Sequence, residues 1–544
     1  MKREGDTATD FAVVDGRFQN ISHRLPIAHK SGPALHQGSN QVGEQVIDLR
    51  GAVVIPGIVE SHGHIIWTGL MGSRLDLRAV RSFTDLCRLV SDYAKTRIES
   101  HWIIGEGWDQ NQWSDSSTGA GSAGNLAGGL TLTVEQVEQL SRAASRHKVY
   151  LTRVDGHVAL ANAAALVAAG VDVHTPTPVG GLIGRTPSGA LSGLLLDTAM
   201  QLVSEKIPSP RPEEIEGALS LALRQMSRHG VTSFHECGAN ASEIELFERF
   251  RATRRLTCRM HVMVDGTRKA LREDWLNKGP RLLSGDGTLQ IRAIKMFADG
   301  ALGSRGALLS RPYADEPTTC GIEIAPKTLL EETARRSLMR GFQMATHAIG
   351  DLACSNVLDA YEGAEACEGV VSLAAGRFRI EHAQMITDMD VKRMARMGII
   401  GAVQCIHCTD DAPFASSRIG DERLGGIAYR WKSLLQAGVR LTNGSDTPVV
   451  PSRPFLGMQA ATAGDLPGRE RERLTPYEAL EAMTLGGAYA AFMETLTGSI
   501  EAGKFADFVV LDRSPLECSN RELAKIKVIE TWMNGNKVYS DSDL

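Results

Sequence analysis

Eight apolar runs rich in strand-forming residues recur along the chain, and most of them end in a polar or Gly-containing stretch. They cover residues 52–62, 231–238, 258–265, 291–300, 343–351, 377–384, 399–405 and 439–446. Segments with helical periodicity, such as 212–230 and 391–398, lie between several of them, which favours parallel β/α units. From the second run onward the spacing is about 25–50 residues, the size of one such unit. The pattern predicts an α/β protein with a closed (β/α)8 TIM barrel, whose chemistry belongs at the carboxyl ends of the strands.

The spacing between runs is irregular at one point, because about 170 residues separate the first run from the second. We predict a barrel over 55–484 with a long insertion after its first strand, at 70–210. Since the insertion leaves the barrel on the active face, we expect it to form a lid or a pocket wall. Its Gly-rich stretch 118–129 predicts a flexible loop.

Short strand-like runs flank the barrel on both sides. Runs 10–21 and 46–54 precede it, and runs 503–512 and 527–539 follow it. Together they predict one small β-sandwich domain built from both termini, over 1–54 plus 485–544. The polar stretch 24–40 is typical of a loose surface loop.

Length, composition and charge narrow the class of protein. The chain has 544 residues, more than one core usually supports, and 43% of them are hydrophobic and 23% charged, as in an ordinary globular protein. The net charge of -5, with both signs interspersed, leaves no basic stripe, so nucleic acid is not an expected partner.

The sequence indicates a cytoplasmic protein that does not bind a membrane. The start of the chain has no apolar core of signal-peptide length, and no later segment approaches the roughly 18 uncharged residues of a membrane span. Nine cysteines at irregular spacing form no disulfide framework, which suits a reducing compartment. Cys405 and Cys408 form a CxxC pair without a second pair nearby, so a structural zinc site is not expected there.

Four histidines and an aspartate close apolar runs. His62 ends the first run and His64 lies two residues later, and imidazoles two residues apart on a strand point to the same side and can chelate a metal. His347, His382 and Asp446 close three later runs. Each alone could be a turn or core residue, but the strand ends of a barrel converge on one mouth. We therefore predict a divalent metal site of the zinc or manganese type.

Lys295 lies in the middle of an apolar run, where an unpaired cation is costly to bury. One interpretation is a lysine neutralised by Asp299 or by another carboxylate. The other is a lysine carboxylated by carbon dioxide, which becomes an anion able to bridge two metals. The neighbouring histidines favour the anion, because a bare ammonium would be repelled by metal cations.

A series of motifs extends over nearly the whole chain in a family-specific order. They are VVIPGIVESHGH (53–64), GEGWDQNQW (105–113), RVDGHVALAN (153–162), IKMFADGALGSR (294–305), THAIGDLA (346–353), RIEHAQ (379–384), GSDTPV (444–449) and GSIEAGKFADFVVLD (498–512). In these motifs the chain resembles the amidohydrolase superfamily, specifically its YtcJ-like branch (amidohydrolase family 3), which includes N-substituted formamide deformylase.

The resemblance implies a role for each candidate ligand. His62 and His64 would bind the more buried metal, and His347 and His382 the second. The resemblance also implies that Lys295 is carboxylated and bridges the two metals. It implies that Asp446 binds the first metal and acts as proton shuttle. The cofactors implied are one or two divalent metals, zinc being favoured, and carbon dioxide as the lysine carbamate.

Three features depart from the family pattern. Glu60 stands where members usually have Asp, which is expected to change metal affinity modestly because the residue lies behind the ligands. The Gln-Pro-x-His motif after strand seven reads Gln-Cys-Ile-His at 404–407, although Asp411 matches. The family's opening β-strand is not evident at the amino terminus, which predicts an incomplete or differently closed small domain.

The expected reaction is hydrolysis of a non-peptide C–N bond in a small amide by metal-activated hydroxide, with Asp446 as proton shuttle. The insertion offers Trp108, Asp109, Arg153 and His157 as substrate-binding candidates, for which a structural role is the alternative. We expect a small amide as partner and consider a homodimer. A mononuclear site of the deaminase type, with Lys295 unmodified, and an inactive binding or regulatory protein on the same fold are the competing hypotheses.

Overall fold

The computed structural model describes residues 10–22, 47–49, 51–72, 74–113, 132–208, 210–367, 369–464, 466 and 468–541. The predicted loops at 24–40 and 118–129 lie outside the described residues.

The chain opens with a β-hairpin of β1 (Asp10–Val14) and β2 (Arg17–Ser22). Its turn, Asp15-Gly16, has φ of 50° and 74°, as expected for a two-residue hairpin turn. The first predicted barrel run then divides into β3 (Val53–Pro56) and β4 (Ile58–Gly63), and helix α1 (Ile65–Met71) follows. Gly57 separates the two strands, and a Cβ there would lie 2.1 Å from the Thr232 hydroxyl oxygen.

The insertion forms a six-stranded sheet with helices packed on it. Its elements are β5 (Leu75–Asp76), α2 (Phe83–Ala94), β6 (Trp102–Trp108), α3 (Val134–Ala143), β7 (Lys148–Arg153), β8 (Val158–Ala161), α4 (Ala163–Ala169), β9 (Gly181–Arg185), β10 (Leu191–Asp197) and α5 (Gln201–Ser204). The strand order is β5-β6-β7-β8-β10-β9, and the sheet has an apolar core of its own. We refer to this unit as the inserted domain.

The barrel resumes at residue 212. Its elements are α6 (Pro212–Arg228), β11 (Val231–Ala239), α7 (Ala241–Ala252), β12 (Arg259–Asp265), α8 (Lys269–Lys278), β13 (Leu289–Phe297), α9 (Lys327–Arg340), β14 (Gln343–Ala348), α10 (Asp351–Glu365), α11 (Leu373–Gly376), β15 (Arg379–His382), α12 (Asp388–Met397), β16 (Ile400–Val403), α13 (Cys405–Asp411), α14 (Ala415–Ile427), α15 (Trp431–Gln436), β17 (Leu441–Asn443), α16 (Pro454–Ala463), α17 (Pro476–Ala482) and α18 (Leu485–Ala490).

Eight parallel strands confirm the predicted barrel. They run in the order β4-β11-β12-β13-β14-β15-β16-β17, and each of the eight predicted runs overlaps one of them. A parallel bridge between Gly63 and Thr447 joins the first strand to the segment after the last. The helices bury their apolar faces against the outside of this sheet, as Leu219, Leu223 and Met226 of α6 do.

A four-stranded antiparallel sheet lies beside the barrel. It adds β18 (Phe508–Leu511), α19 (Asn520–Leu523), β19 (Val528–Met533) and β20 (Asn536–Ser540), with the order β20-β19-β18-β3. Phe11 and Phe18 of the opening hairpin pack on Phe508, with ring centroids 5.2 and 6.0 Å away. The predicted terminal strands 10–21 and 527–539 are each a hairpin, formed by β1 with β2 and by β19 with β20. Residues 47–49 of the predicted strand 46–54 are not in a strand. The domain boundaries given above remain our proposal.

The helices in the described part of the chain are too short or too polar to cross a bilayer.

Candidate metal centre at the barrel mouth

Closure of the barrel brings His62, His64 and Asp446 together. His62 lies near the end of β4, His64 follows that strand, and Asp446 lies just after β17. Where the two chain segments meet, the Asp446 amide donates to the His62 carbonyl at 2.8 Å, and the His64 amide donates to the Thr447 carbonyl at 2.8 Å. Backbone hydrogen bonds therefore fix the three side chains at one edge of the barrel.

The side-chain atoms of these residues have the spacing of metal ligands. His62 Nε2 lies 3.5 Å and His64 Nε2 lies 3.4 Å from Asp446 Oδ1. Two ligand atoms that share a tetrahedral zinc ion at about 2.0–2.1 Å lie about 3.3–3.4 Å apart. Asp446 Oδ1 is buried without a hydrogen-bond partner in the described chain. An unpaired buried carboxylate oxygen is costly, and a cation would compensate it.

His382 and His347 extend the cluster along the neighbouring strands. The His382 ring lies 4.8 Å from that of His62 and 4.4 Å from that of His347. His382 Nδ1 is buried without a hydrogen-bond partner, and one ligand atom each of His62, His382 and Asp446 lie within 4.8 Å of one another. His347 Nε2 lies 3.4 Å from the Gly300 carbonyl, so this nitrogen already has a contact within the protein.

Burial sets the protonation of these groups. It lowers the pKa of His62 to about 4 and the pKa values of His347 and His382 well below the ordinary one. These imidazoles are therefore neutral near pH 7, the form that binds a metal. Burial opposes ionisation of Asp446, but the neighbouring His62 and His64 hold its pKa below the usual range.

Lys295 is buried in the barrel and has no carboxylate partner among the residues that the structure describes. It is 1% exposed, and its Nζ lies 4.7 Å from the centroid of the Phe297 ring. Within the described chain no carboxylate oxygen lies within 4.0 Å of that Nζ. Asp299 instead accepts hydrogen bonds from the amides of Ile349 and Gly350, at 3.1 and 2.8 Å. The structure thus gives no support to a Lys295–Asp299 ion pair.

Glu381, which the sequence analysis did not single out, orients His62. It contacts His62 Nδ1, which leaves Nε2 to face Asp446. Arg379 in turn donates Nε to Glu381 Oε1 at 2.7 Å and Nη2 to Oε2 at 2.9 Å. Burial raises the pKa of Glu381, but Arg379 and His62 outweigh it and lower the value to about 2. The available signal was its position, one residue before the strand-end His382.

Cys237 completes a second set of potential ligands with His62 and Glu381, whose donor atoms also lie within 4.8 Å of one another. The Arg379 guanidinium already binds both oxygens of Glu381. A metal ion there would lie next to a buried cation. The geometry therefore favours an orienting role for Glu381 over a ligand role.

Glu60, which replaces the family's Asp, holds the loop that carries Asp446. It accepts hydrogen bonds from the Ser445 amide at 2.8 Å, the Ser445 hydroxyl at 2.7 Å and the Ser452 hydroxyl at 2.9 Å. Burial raises its pKa to about 7. Glu60 thus helps to fix the loop after β17.

Two further side chains flank His64. Glu236 Oε1 lies 3.9 Å from His64 Nδ1, and its Oε2 accepts a hydrogen bond from the Ile65 amide at 2.7 Å. The Trp67 ring lies 5.7 Å from that of His64, and its Nε1 donates to Glu106 of the inserted domain. The inserted domain therefore reaches the wall of the site.

The altered motif after strand seven still places His407 at the cluster. Its ring is nearly parallel to that of His382 with centroids 6.0 Å apart, and its Nε2 is buried without a hydrogen-bond partner in the described chain. Asp411 accepts hydrogen bonds from Gln384 Nε2 at 2.7 Å and from the Tyr429 hydroxyl at 2.6 Å. Burial raises the pKa of Asp411 to about 6.

Three of the four substrate-binding candidates have their polar atoms bound within the inserted domain. Arg153 donates to Asp109 at 2.7 Å and to Gln110 at 2.8 Å. Trp108 is fully buried in the apolar core of that domain, and its Nε1 donates to the Leu151 carbonyl at 2.9 Å. These contacts favour structural roles, and substrate binding by these three residues stays a prediction.

His157 is the candidate that the structure brings to the cluster. Its ring centroid lies 5.3 Å from that of His347, and its Nδ1 lies 2.7 Å from Asp197 Oδ1. Burial disfavours the protonated ring, but Asp197 and two other aspartates raise its pKa to about 9. The sequence suggested His157, but it gave no signal for Asp197, which lies forty residues further on.

The barrel has the fold of metal-dependent hydrolases of known structure. An uncharacterized metal-dependent hydrolase from Pyrococcus furiosus has the same fold, with a TM-score of 0.66 and 27% identity over 87% of this chain and 90% of that one. One from Pyrococcus horikoshii gives a TM-score of 0.68 and 24% identity over 88% and 90%.

The chain belongs to the amidohydrolase family, whose model matches residues 45–127 and 130–539. It is 32% identical to YtcJ of Bacillus subtilis over 100% of this chain and 98% of that protein. Protein LONG AFTER FAR-RED 3 of Arabidopsis thaliana is 31% identical over 97% and 91%. The N-substituted formamide deformylase of Arthrobacter pascens is 24% identical over 92% and 90%. These relatives agree with the branch predicted from the motifs.

Proposed function

We propose that the protein cleaves the C–N bond of a small non-peptide amide, such as an N-formyl or N-acyl amine, with the help of bound divalent metal. The convergence of His62 Nε2 and His64 Nε2 on the buried Asp446 Oδ1 carries the proposal. The name of the Arthrobacter pascens relative, N-substituted formamide deformylase, supports the substrate class.

The donor set suits zinc, which prefers imidazole nitrogens and carboxylate oxygens. His62, His64 and Asp446 would hold one ion. His382, whose ring lies beside that of His62, would hold a second ion together with His347. Lys295 would join them as a carbamate formed with carbon dioxide. Lys295 is buried and has no carboxylate partner in the described part of the chain, which supports this role, since carboxylation would replace a buried cation by an anion.

His62, His64 and Asp446 would hold a divalent metal in this place, which would supply a more acidic water and a polarised amide carbonyl. Asp446 supplies the base, because its carboxylate is ionised near neutral pH. It accepts the proton that water loses and delivers it to the leaving nitrogen. Glu381 keeps Nε2 of His62 directed at the centre throughout. A cytoplasmic location and a homodimer remain predictions.

The test is hydrolysis of a panel of N-formyl, N-acetyl and cyclic amides by protein reconstituted with zinc or manganese. We expect cleavage of at least one class, loss of activity on chelation and recovery when metal is returned. Asp446→Asn should lower kcat about 100-fold or more. Metal-loaded protein that cleaves none of the panel would contradict the proposal, and failure to bind metal would favour the inactive binding protein.

The mononuclear alternative has one observation in its favour, the contact of His347 Nε2 with the Gly300 carbonyl. Metal content of wild type and Lys295→Ala distinguishes the two. A carboxylated lysine predicts two metals in wild type and loss of at least one in the variant. It also predicts partial rescue by bicarbonate or a short-chain carboxylic acid. One tightly bound metal and an unmodified lysine mass would favour the mononuclear site.

A further inference from the structure

His157 and Asp197 form a pair that links the inserted domain to the barrel mouth. His157 lies in the turn between β7 and β8, and Asp197 ends β10. The Asp197 amide donates to the His157 carbonyl at 3.0 Å, and Asp197 Oδ1 lies 2.7 Å from His157 Nδ1. The backbone and the side chain of Asp197 thus both hold the histidine.

Asp197 adopts a conformation that an aspartate rarely occupies. Its φ of 45° and ψ of -120° lie in a region suited to glycine, where a side chain is strained. Glycine would relieve the strain but could not bind His157. Strain of this kind persists where a surrounding structure demands it, often at functional sites. The strained position directs a buried carboxylate, 3% exposed, at the imidazole.

The barrel makes room for this pair. Gly300 follows β13, and a Cβ at that position would lie 3.2 Å from both carboxylate oxygens of Asp197. On the other side, the His157 ring centroid lies 5.3 Å from that of His347. The pair is therefore packed against the loop after barrel strand four and against one of the candidate ligands.

One nitrogen of His157 is left for a ligand. Asp197 occupies Nδ1, and Nε2 has no hydrogen-bond partner in the described chain. The histidine side chain is 15% exposed, whereas its aspartate partner is nearly inaccessible. The ring is thus fixed at Nδ1 by Asp197 and remains partly exposed.

We propose that His157, held by Asp197, is the substrate-binding residue that the inserted domain contributes: its Nε2 makes a hydrogen bond to the amide group of the bound substrate. This inference rests on the proposed function, because it takes a small amide as the ligand. Asp197 is a positioning residue that acts through His157. The alternative is a structural link between the inserted domain and the barrel.

The experiment compares His157→Gln and Asp197→Asn with His174→Gln, an exposed histidine of the same domain. Zinc-reconstituted proteins are assayed for hydrolysis of N-(4-nitrophenyl)formamide and N-(4-nitrophenyl)acetamide, and for zinc content. We expect kcat/KM to fall about 100-fold in His157→Gln and about 10-fold in Asp197→Asn. Zinc content should not change, and His174→Gln should match wild type. A structural link predicts lower thermal stability with unchanged kinetic constants, which would overturn the proposal.

Asp197→Gly separates strain from function. Glycine suits the backbone conformation, so the variant should melt no lower than Asp197→Asn, yet it should lose as much kcat/KM. Binding of acetohydroxamate, an amide analogue that chelates zinc, gives a readout independent of turnover. We expect the Kd to rise about 10-fold in His157→Gln. If wild type cleaves neither anilide, the Kd comparison still decides this inference, and an unchanged Kd would overturn it.

Discussion

Glu381→Gln removes the charge that lies between Arg379 and His62 while keeping the size of the side chain. Both Arg379 and Glu381 are 0% exposed, and two hydrogen bonds of 2.7 and 2.9 Å join them. The variant leaves the guanidinium buried without its counter-charge. Removing one partner of such a pair typically destabilises a protein by about 3–5 kcal/mol. We expect the free energy of unfolding of the metal-free variant to fall by this amount.

The same change should weaken metal binding through His62. With Glu381 ionised, His62 Nδ1 has a carboxylate partner, and this fixes the orientation of the ring. A glutamine amide can present either a donor or an acceptor to Nδ1, so the ring loses that fixed partner. Loss of such a partner typically costs about 10–100-fold in metal affinity. Competitive zinc titration would measure it.

Glu494→Gln is the matched control. Arg377 and Glu494 make the same kind of paired contact, at 2.9 and 2.7 Å, but their side chains are 17% and 28% exposed. Water compensates a broken pair at such a site, so we expect a loss of about 1 kcal/mol or less and no change in zinc affinity. Denaturant unfolding of the three metal-free proteins provides the comparison. If Glu381→Gln were as stable as the control and bound zinc like wild type, Glu381 would not stabilise the buried Arg379 or orient His62 as proposed.

Three further predictions concern packing, domain docking and pH. Gly69→Ala should destabilise the protein by about 1–3 kcal/mol in denaturant unfolding, because the new Cβ would lie 2.0 Å from a carbonyl oxygen of α6. Gly217→Ala on α6, where a Cβ would have no atom within 4 Å, should stabilise the protein by up to about 1 kcal/mol. Equal effects of the two variants would contradict this prediction. Asp507→Asn should cost about 3–5 kcal/mol by the same measurement, since Asp507 binds the buried Arg259 of the barrel at 2.6 and 2.8 Å, and a loss below about 1 kcal/mol would speak against it. Burial raises the pKa of Asp411 to about 6, above the value in an unfolded chain, so the folded protein binds the extra proton. The free energy of unfolding of wild type, relative to that of Asp411→Asn, should therefore rise as the pH falls from about 6 toward 4. Urea unfolding across that range measures this difference, and a difference that falls with falling pH would refute the prediction.

The sequence by itself determined the barrel and the candidate ligands. Strand-like runs at the spacing of β/α units predict eight parallel strands, and the ends of such strands converge because the barrel closes. His62, His64, His382 and Asp446 could be placed together on that ground alone. The family was predicted from a resemblance, carried by the order and spacing of motifs along nearly the whole chain.

Tertiary structure decided which buried polar groups meet. Apolar periodicity shows which face of a strand or helix is buried, but it does not specify which of several buried charges pair. That choice depends on strand register and on contacts between distant segments. Arg379 binds Glu381, whereas Lys295 has no carboxylate partner among the described residues, although both are cations within apolar runs of the sequence. Asp197 reaches His157 through a strained backbone in the inserted domain, and no local pattern encodes a contact between residues forty positions apart.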